Sequence, residues 1–394
     1  MAPSGAARSS FGLNPRASSR SPARSARLCR VKDARVHFDT RTPFILALRG
    51  RVDAYFDEQG CSRTGGGRMV VKTTILFAWL IASYVGLLAL SGTWLAVLGF
   101  GVSCGLATAG LGMAVQHDGG HRAYSSRRGI NRLAASVLDL LGASSYIWRV
   151  KHGVIHHTYT NVEDVDDDLD AGPFARLVPS QAHRFVHRFQ HIYMWPLYGL
   201  LTAKWFLYDD FRIFAKGRVG DQPLRRPRGA DLWTFILGKL AHAAWALAVP
   251  IALLGWAKGL VFYLAFSVAC GVTLSVVFQL AHCVEEATFV DPNEAPTLDF
   301  FVHQLATTID FARDNKLLSW YVGGLNFQAV HHLFPRVCHL HYPALAGIVE
   351  QTASEYGVAY TANVSFTTAL GSHYRWLRRM GRGDLADTGL MAGP

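Results

Sequence analysis

Four apolar stretches constrain this chain more than any other feature. Thr73 to Leu90 and Trp94 to Gln116 carry no charged residue, and only Ser91, Gly92 and Thr93 part them. Leu232 to Trp256 carries only Lys239 and His242 as titratable groups, and Leu260 to Ala281 is uncharged. Each approaches the roughly 20 apolar residues that cross about 30 Å of hydrocarbon. The expected architecture is all-α and membrane-embedded: four transmembrane helices in two tight hairpins. Composition agrees, with 50% hydrophobic and 17% charged residues, where soluble domains carry roughly 25% charged. The six cysteines form no C-x-x-C pair, which excludes a zinc ribbon and gives no sign of a disulfide framework.

Charge sets the expected orientation. Of 39 Lys and Arg, only Lys258 falls in a connection on the far side of the hairpins, and Lys239 lies in a span. The rest precede the first pair, lie between the pairs, or follow the second. Basic residues collect on the cytoplasmic side, so both termini and the long middle segment are expected there. The net charge of +11 has the same origin, and four spans exclude a soluble nucleic-acid binder.

Residues 1–35 are rich in Ser, Ala, Arg and Pro with no acid before Asp33, and read as a disordered basic segment. An organelle-targeting segment is the alternative. Residues 36–394 read as one membrane domain opened by a short amphipathic lead-in, 36–72. Its cytoplasmic cap comprises 117–231 and 282–394. Within it, Leu133 to Trp148 and His191 to Phe206 are too short to span and read as interfacial.

Seventeen histidines are distributed unevenly. His117 and His121 form an H-x-x-x-H pair at the cytoplasmic end of the second span, one turn apart on one helix face. His152, His156 and His157 form H-x-x-x-H-H. His152 and His156 share a face, and His157 points about 100° away, so the triple can serve two adjacent metals. His331 and His332 follow Gln328 in Q-x-x-H-H, and His282 ends the fourth span. All lie at the same ends of the spans, where folding the hairpins together makes them converge. Eight imidazoles exceed one tetrahedral site. Imidazole suits several metals, and chemistry on an unactivated C–H bond of a lipid calls for O2 at a redox metal, so iron fits best. Metal-bound imidazoles donate their far N–H to a carboxylate or carbonyl; Asp118, Asn161, Asp166, Asp168, Glu285 and Glu286 are near in sequence. The acidic run Glu163 to Asp170 reads mainly as a solvated loop, with Asp118, Asn161 and Asp166 kept as supporting candidates. His183, His187 and His191 read as one face of an interfacial helix. His303, His339 and His341 read as structural or supporting, and His37, His242 and His373 as uninvolved.

These boxes, in this order and flanking two hairpins, resemble the membrane fatty-acid desaturases. WRVKHGVIHHTYTNVEDVDDD, Trp148 to Asp168, and NFQAVHHLFP, Asn326 to Pro335, are similar to bacterial linoleoyl-CoA desaturase-like proteins. Gln328 at the place of the last box's first histidine is similar to front-end desaturases, which act between an existing double bond and the carboxyl end. The resemblance implies two irons, O2 as co-substrate and two electrons from a partner. It implies His117, His121, His152, His156, His157, His282, His331 and His332 as ligands, with Gln328 at the remaining box position. Two departures stand out: Val330 where front-end relatives have Glu, and no H-P-G-G haem motif of a fused cytochrome b5. Electrons are therefore expected from a separate ferredoxin or cytochrome b5. The basic residues Arg184, Arg188, Arg225, Arg226 and Arg228 suit an acidic donor.

The expected activity is insertion of a cis double bond into an acyl-CoA or acyl-lipid chain. Hydroxylation of a fatty acid, sphingolipid or carotenoid on the same scaffold is the alternative. A metal transporter fits less well, because transport sites lie near the midplane and these clusters lie at helix ends. The Ala/Gly/Arg-rich composition points to a bacterial plasma membrane.

Overall fold

The computed structural model describes residues 36–293 and 297–384. The basic segment 1–35 lies outside the described residues. The lead-in holds one regular helix, α1 (Pro43–Gln59). Thr42 accepts from the Ile45 amide at its start, proline sits in its first turn, and Gly60 ends it at a φ of 57°. Phe44, Leu48, Val52 and Phe56 recur every four residues and are buried on one face. They join a cluster with Leu345, Val349 and Ala353 of a later helix.

Four helices are long and apolar enough to cross a membrane: α2 (Gly66–Leu90), α3 (Trp94–His121), α4 (Ala230–Leu254) and α5 (Trp256–His282). The expected spans are found with changed ends. α2 starts at Gly66 rather than Thr73, taking in Arg68 and Lys72. α3 runs beyond Gln116 through the first histidine box. A single residue, Gly255 at a φ of 84°, joins α4 to α5. Lys258 therefore lies in the first turn of α5 and not in a connection. Its ammonium donates to the carbonyls of Ser91 and Gly92 at 2.7 and 3.2 Å, which ties the two hairpin turns together.

In lipid, apolar surfaces gain little by leaving their solvent, so helix pairs depend on close backbone approach. Gly101 and Gly105 supply it on α3. A Cβ at Gly105 would stand 2.5 Å from the Phe266 carbonyl oxygen of α5. Lys239, inside α4, is buried but fully partnered by Asp210 at 2.6 Å and by the carbonyls of Gly142 and Trp205 at 2.6 and 3.0 Å. A charge so placed persists only when its donors are met.

The segment between the hairpins holds short helices, among them Arg128–Ala135, Val137–Leu140, Ser145–Val150 and Gln190–Tyr198. The histidine stripe is not one helix face. His183 lies in a loop and binds the Gly381 carbonyl. His187 lies in a tight helical turn and binds the Pro173 carbonyl. After α5 come α6 (Phe300–Thr307), α7 (Gln328–Leu333), α8 (Tyr342–Glu355) and α9 (Phe366–Arg382). α9 packs on Gln190–Tyr198 and on α5.

Candidate metal centre

The site begins at the end of α3. There the helix widens by one residue at Gly112–Gln116, before a last regular turn, His117–His121. Such wide turns cluster at functional sites. The two glycines of His-Asp-Gly-Gly-His are steric necessities. A Cβ on Gly119 would stand 2.6 Å from the Ala135 nitrogen, and one on Gly120 would strike the Trp148 ring. The second box lies in another wide turn, Lys151–His156. It follows Ser145–Val150, whose start is capped by Ser144. The third box is α7. Asp310, wholly buried, accepts from the Ala329 amide at 2.9 Å and so fixes the first turn of α7. His282 is the last residue of α5.

These elements bring all eight box histidines together, each at most 9% exposed. The ring nitrogens of His117, His121, His152 and His331 lie within 4.8 Å of one another, as do those of His156, His282 and His332. His157 groups with His331 and His332. The Gln328 amide lies 2.9 Å from His282 Nε2 and 3.3 Å from His332 Nε2. His152 and His156 stack with ring centroids 4.9 Å apart and also form a group with Asp168, as residues on one helix face do.

Outward and inward nitrogens differ in kind. His152 donates Nδ1–H to Asp168 at 3.2 Å and His156 donates to Asp166 at 2.9 Å. His332 donates to Gln304 at 2.9 Å, and His282 to the Thr307 carbonyl at 3.4 Å. His331 Nδ1 meets the Tyr342 hydroxyl at 3.0 Å. An oxygen acceptor on Nδ1 leaves Nε2 with a bare lone pair. The Nε2 atoms of His121, His152 and His156, and Nδ1 of His157, are buried with no partner among the described residues. Orphaned groups of this kind cost about 1–3 kcal/mol each. His157 Nε2 and His331 Nε2 stand 3.0 Å apart, about the separation of two nitrogens bound to one ion at roughly 2.1 Å and a right angle. The donor set thus fits metal ions. Burial and the neighbouring imidazoles hold His157, His331 and His332 well below the usual histidine value, so they stay neutral, as ligation requires. His156 goes the other way: burial lowers it, but Asp166 and Asp168 outweigh burial and raise it.

The supporting acids are partly redistributed. Asp166 and Asp168 both hold box imidazoles, so this end of the acidic run is not a solvated loop. Asp118 binds His339 at 2.9 Å rather than a box histidine. Asn161 donates to the backbone carbonyls of His282, Thr288 and Thr307, clamping chain segments and no imidazole. Glu285 and Glu286 bind α9, through Arg375, Arg379 and Ser372. Gln304 and Tyr342 are supporting residues that sequence reasoning missed. Gln304 carries no signal in its spacing, whereas Tyr342 follows a His-x-His next to the box.

Beside the imidazoles lies a cavity of about 520 Å³. Met113, Leu138, Ile147, Trp148, Leu274 and Phe278 line it, and His117, His152 and Gln328 reach its wall. Lys151, Asp168, Lys204 and Asp209 are among its polar lining residues.

The profile of the fatty acid desaturases matches residues 92–363. An sn-1 linoleoyl-lipid 6-desaturase of Arthrospira platensis is 35% identical over 356 residues, covering 88% of this chain and 95% of that one. A protein of the same description from Synechocystis sp. is 34% identical over 353 residues, covering 88% and 98%. An acyl-lipid (8-3)-desaturase of Physcomitrium patens is 35% identical over 344 residues, covering 86% and 72%. A polar cluster of eight convergent histidines, four apolar helices and these likenesses agree: the chain belongs to the fatty acid desaturase family and is an oxidoreductase acting on acyl chains.

Proposed function

We propose that this protein is an acyl-lipid desaturase of front-end regiochemistry with a di-iron centre. His117, His121, His152, His156, His157, His282, His331 and His332 would hold two irons, with Gln328 at the ninth place. Bound iron supplies the O2 activation that removal of hydrogen from adjacent methylenes demands. The carrying observation is the convergence of eight buried imidazoles, four of them with a nitrogen unpartnered among the described residues, beside a mainly apolar cavity.

The protein's own residues do the rest. Asp166, Asp168, Gln304 and Tyr342 fix ring orientation. Trp148 and Phe278 pack on box imidazoles, with Trp148 stacked 4.7 Å from His152, and keep water from the reacting chain. The cavity takes the acyl chain, and its shape chooses the carbons. Front-end action is supported by the relatives' names and by the cavity's layout. Lys151 and its chain neighbour His152 both line the wall. A carrier held there leaves few carbons before the metal.

Charge asymmetry supports cytoplasmic termini and a cytoplasmic cap in a bacterial plasma membrane. Electrons come from a separate ferredoxin or cytochrome b5 docking on the basic face that includes Arg184, Arg188, Arg225, Arg226 and Arg228. The test is mass spectrometry of fatty acids from a host fed oleic or linoleic acid. A new double bond on the carboxyl side of the existing one, absent with His156→Ala, is expected. A hydroxylated product, or none from iron-loaded protein with a working donor, overturns the reading.

A further inference from the structure

Two buried amides in the cavity wall have no hydrogen-bond partner among the described residues. Gln116 is 4% exposed and Gln279 is 6% exposed. Among the described residues neither side chain makes a hydrogen bond, and Gln116 Nε2 and Gln279 Oε1 are enclosed without a partner. Both line the same cavity, among Met113, Leu274 and Phe278. Gln116 precedes His117 on α3, and Gln279 stands one turn before His282 on α5.

An amide in apolar surroundings costs about 1–3 kcal/mol when unmet, and an apolar residue of the same shape would remove that cost. Something polar is therefore expected to reach these two when the cavity is filled. An acyl chain offers few polar atoms, and those belong to its ester. In front-end desaturation the reacting carbons lie only a few bonds from that ester, so the ester itself must enter the cavity near the box histidines. A carbonyl oxygen accepts only, and a carboxamide can present its N–H by turning over.

We infer that Gln116 and Gln279 form a subsite for the ester carbonyl of the substrate lipid. This rests on the front-end reading above and adds a device to it. Anchoring the carbonyl measures the chain from its carboxyl end, so the reaction falls at a fixed count of carbons from the ester.

The test compares a linoleoyl glycerolipid with its ether-linked counterpart, which lacks the carbonyl, using iron-loaded protein and an added electron donor. Sites built to bind a polar group reject analogues lacking it, so the parent should favour the ester by about tenfold or more. Gln116→Met and Gln279→Met should lower the ester rate toward the ether rate and spread the new double bond over neighbouring positions. Iron content should be preserved, and melting without substrate should occur at the same or a higher temperature. Equal rates on ester and ether in the parent, or variants that keep the preference, overturn the inference. Variants that lose iron also overturn it, by assigning these residues to the metal site. A parent inactive on both lipids sinks the front-end acyl-lipid reading instead.

Discussion

The buried histidines of the box cluster differ from the buried His373 and His339 in what their nitrogens meet. Near α9, His373 receives the Tyr198 hydroxyl at 2.7 Å and donates to the Cys283 carbonyl at 2.6 Å. His339 bridges Asp118 at 2.9 Å and Lys72 at 2.8 Å. Both nitrogens of each ring are used. In the box cluster His152, His156, His282, His331 and His332 have one nitrogen tied outward to an oxygen, and the remaining ring nitrogens meet imidazoles, the Gln328 amide or no partner among the described residues. Burial alone therefore does not mark a ligand. His242 and His303 each keep one orphaned nitrogen, yet neither joins a metal-capable group among the described residues. An open nitrogen counts when others converge on the same point.

That contrast can be broken most directly by removing a ring. His156→Ala and His332→Ala should abolish desaturation and lower bound iron, read by mass spectrometry of products and by metal analysis. Retention of two irons in either would erase the distinction. Asp166→Asn weakens the outward tie of His156 and should cost about 10–100-fold in metal affinity or activity, seen in iron titrations. Loss no larger than that of an exposed-acid control such as Asp221→Asn would make Asp166 a bystander. His373→Phe should keep the iron and the activity per iron while losing about 1–3 kcal/mol of stability, measured by thermal melting. An iron-poor His373→Phe protein would merge the two sets.

The smallest effect is in pH. Burial lowers His373 to about 4 from the usual 6.5. Above 6.5 neither folded nor unfolded protein protonates it, so its titration contributes nothing. Between 6.5 and 4 the unfolded chain takes a proton that the folded chain refuses, and stability falls with pH. Melting of the parent should therefore drop more between pH 7 and pH 5 than that of His373→Phe, and parallel curves would contradict this.

Sequence reasoning read what depends on local pattern. Uncharged runs gave four helices, and the H-x-x-x-H, H-x-x-x-H-H and Q-x-x-H-H boxes with His282 at the end of the fourth span named eight residues that the fold does bring together. It missed the wide turn Lys151–His156, which no propensity announces and which still leaves His152 stacked on His156. It also erred where partners are distant in the chain: Gln304 supports His332 across 28 residues, and Asp118 turns to His339 across 221. The hydrophilic run after the second box looked solvated because its composition is that of a loop. Burial of Asp166 is decided by packing from other elements, which a single window cannot see.

The wide turn at Gly112–Gln116 has a consequence for how such a chain can change over time. One residue added to a helix rotates everything beyond it by about 100°. The lipid-packed part of α3, held to α5 by Gly101 and Gly105, and the box that follows are thus separately adjustable. Membrane packing can drift in azimuth, and a one-residue gain or loss between the two can re-aim the imidazoles without touching either surface.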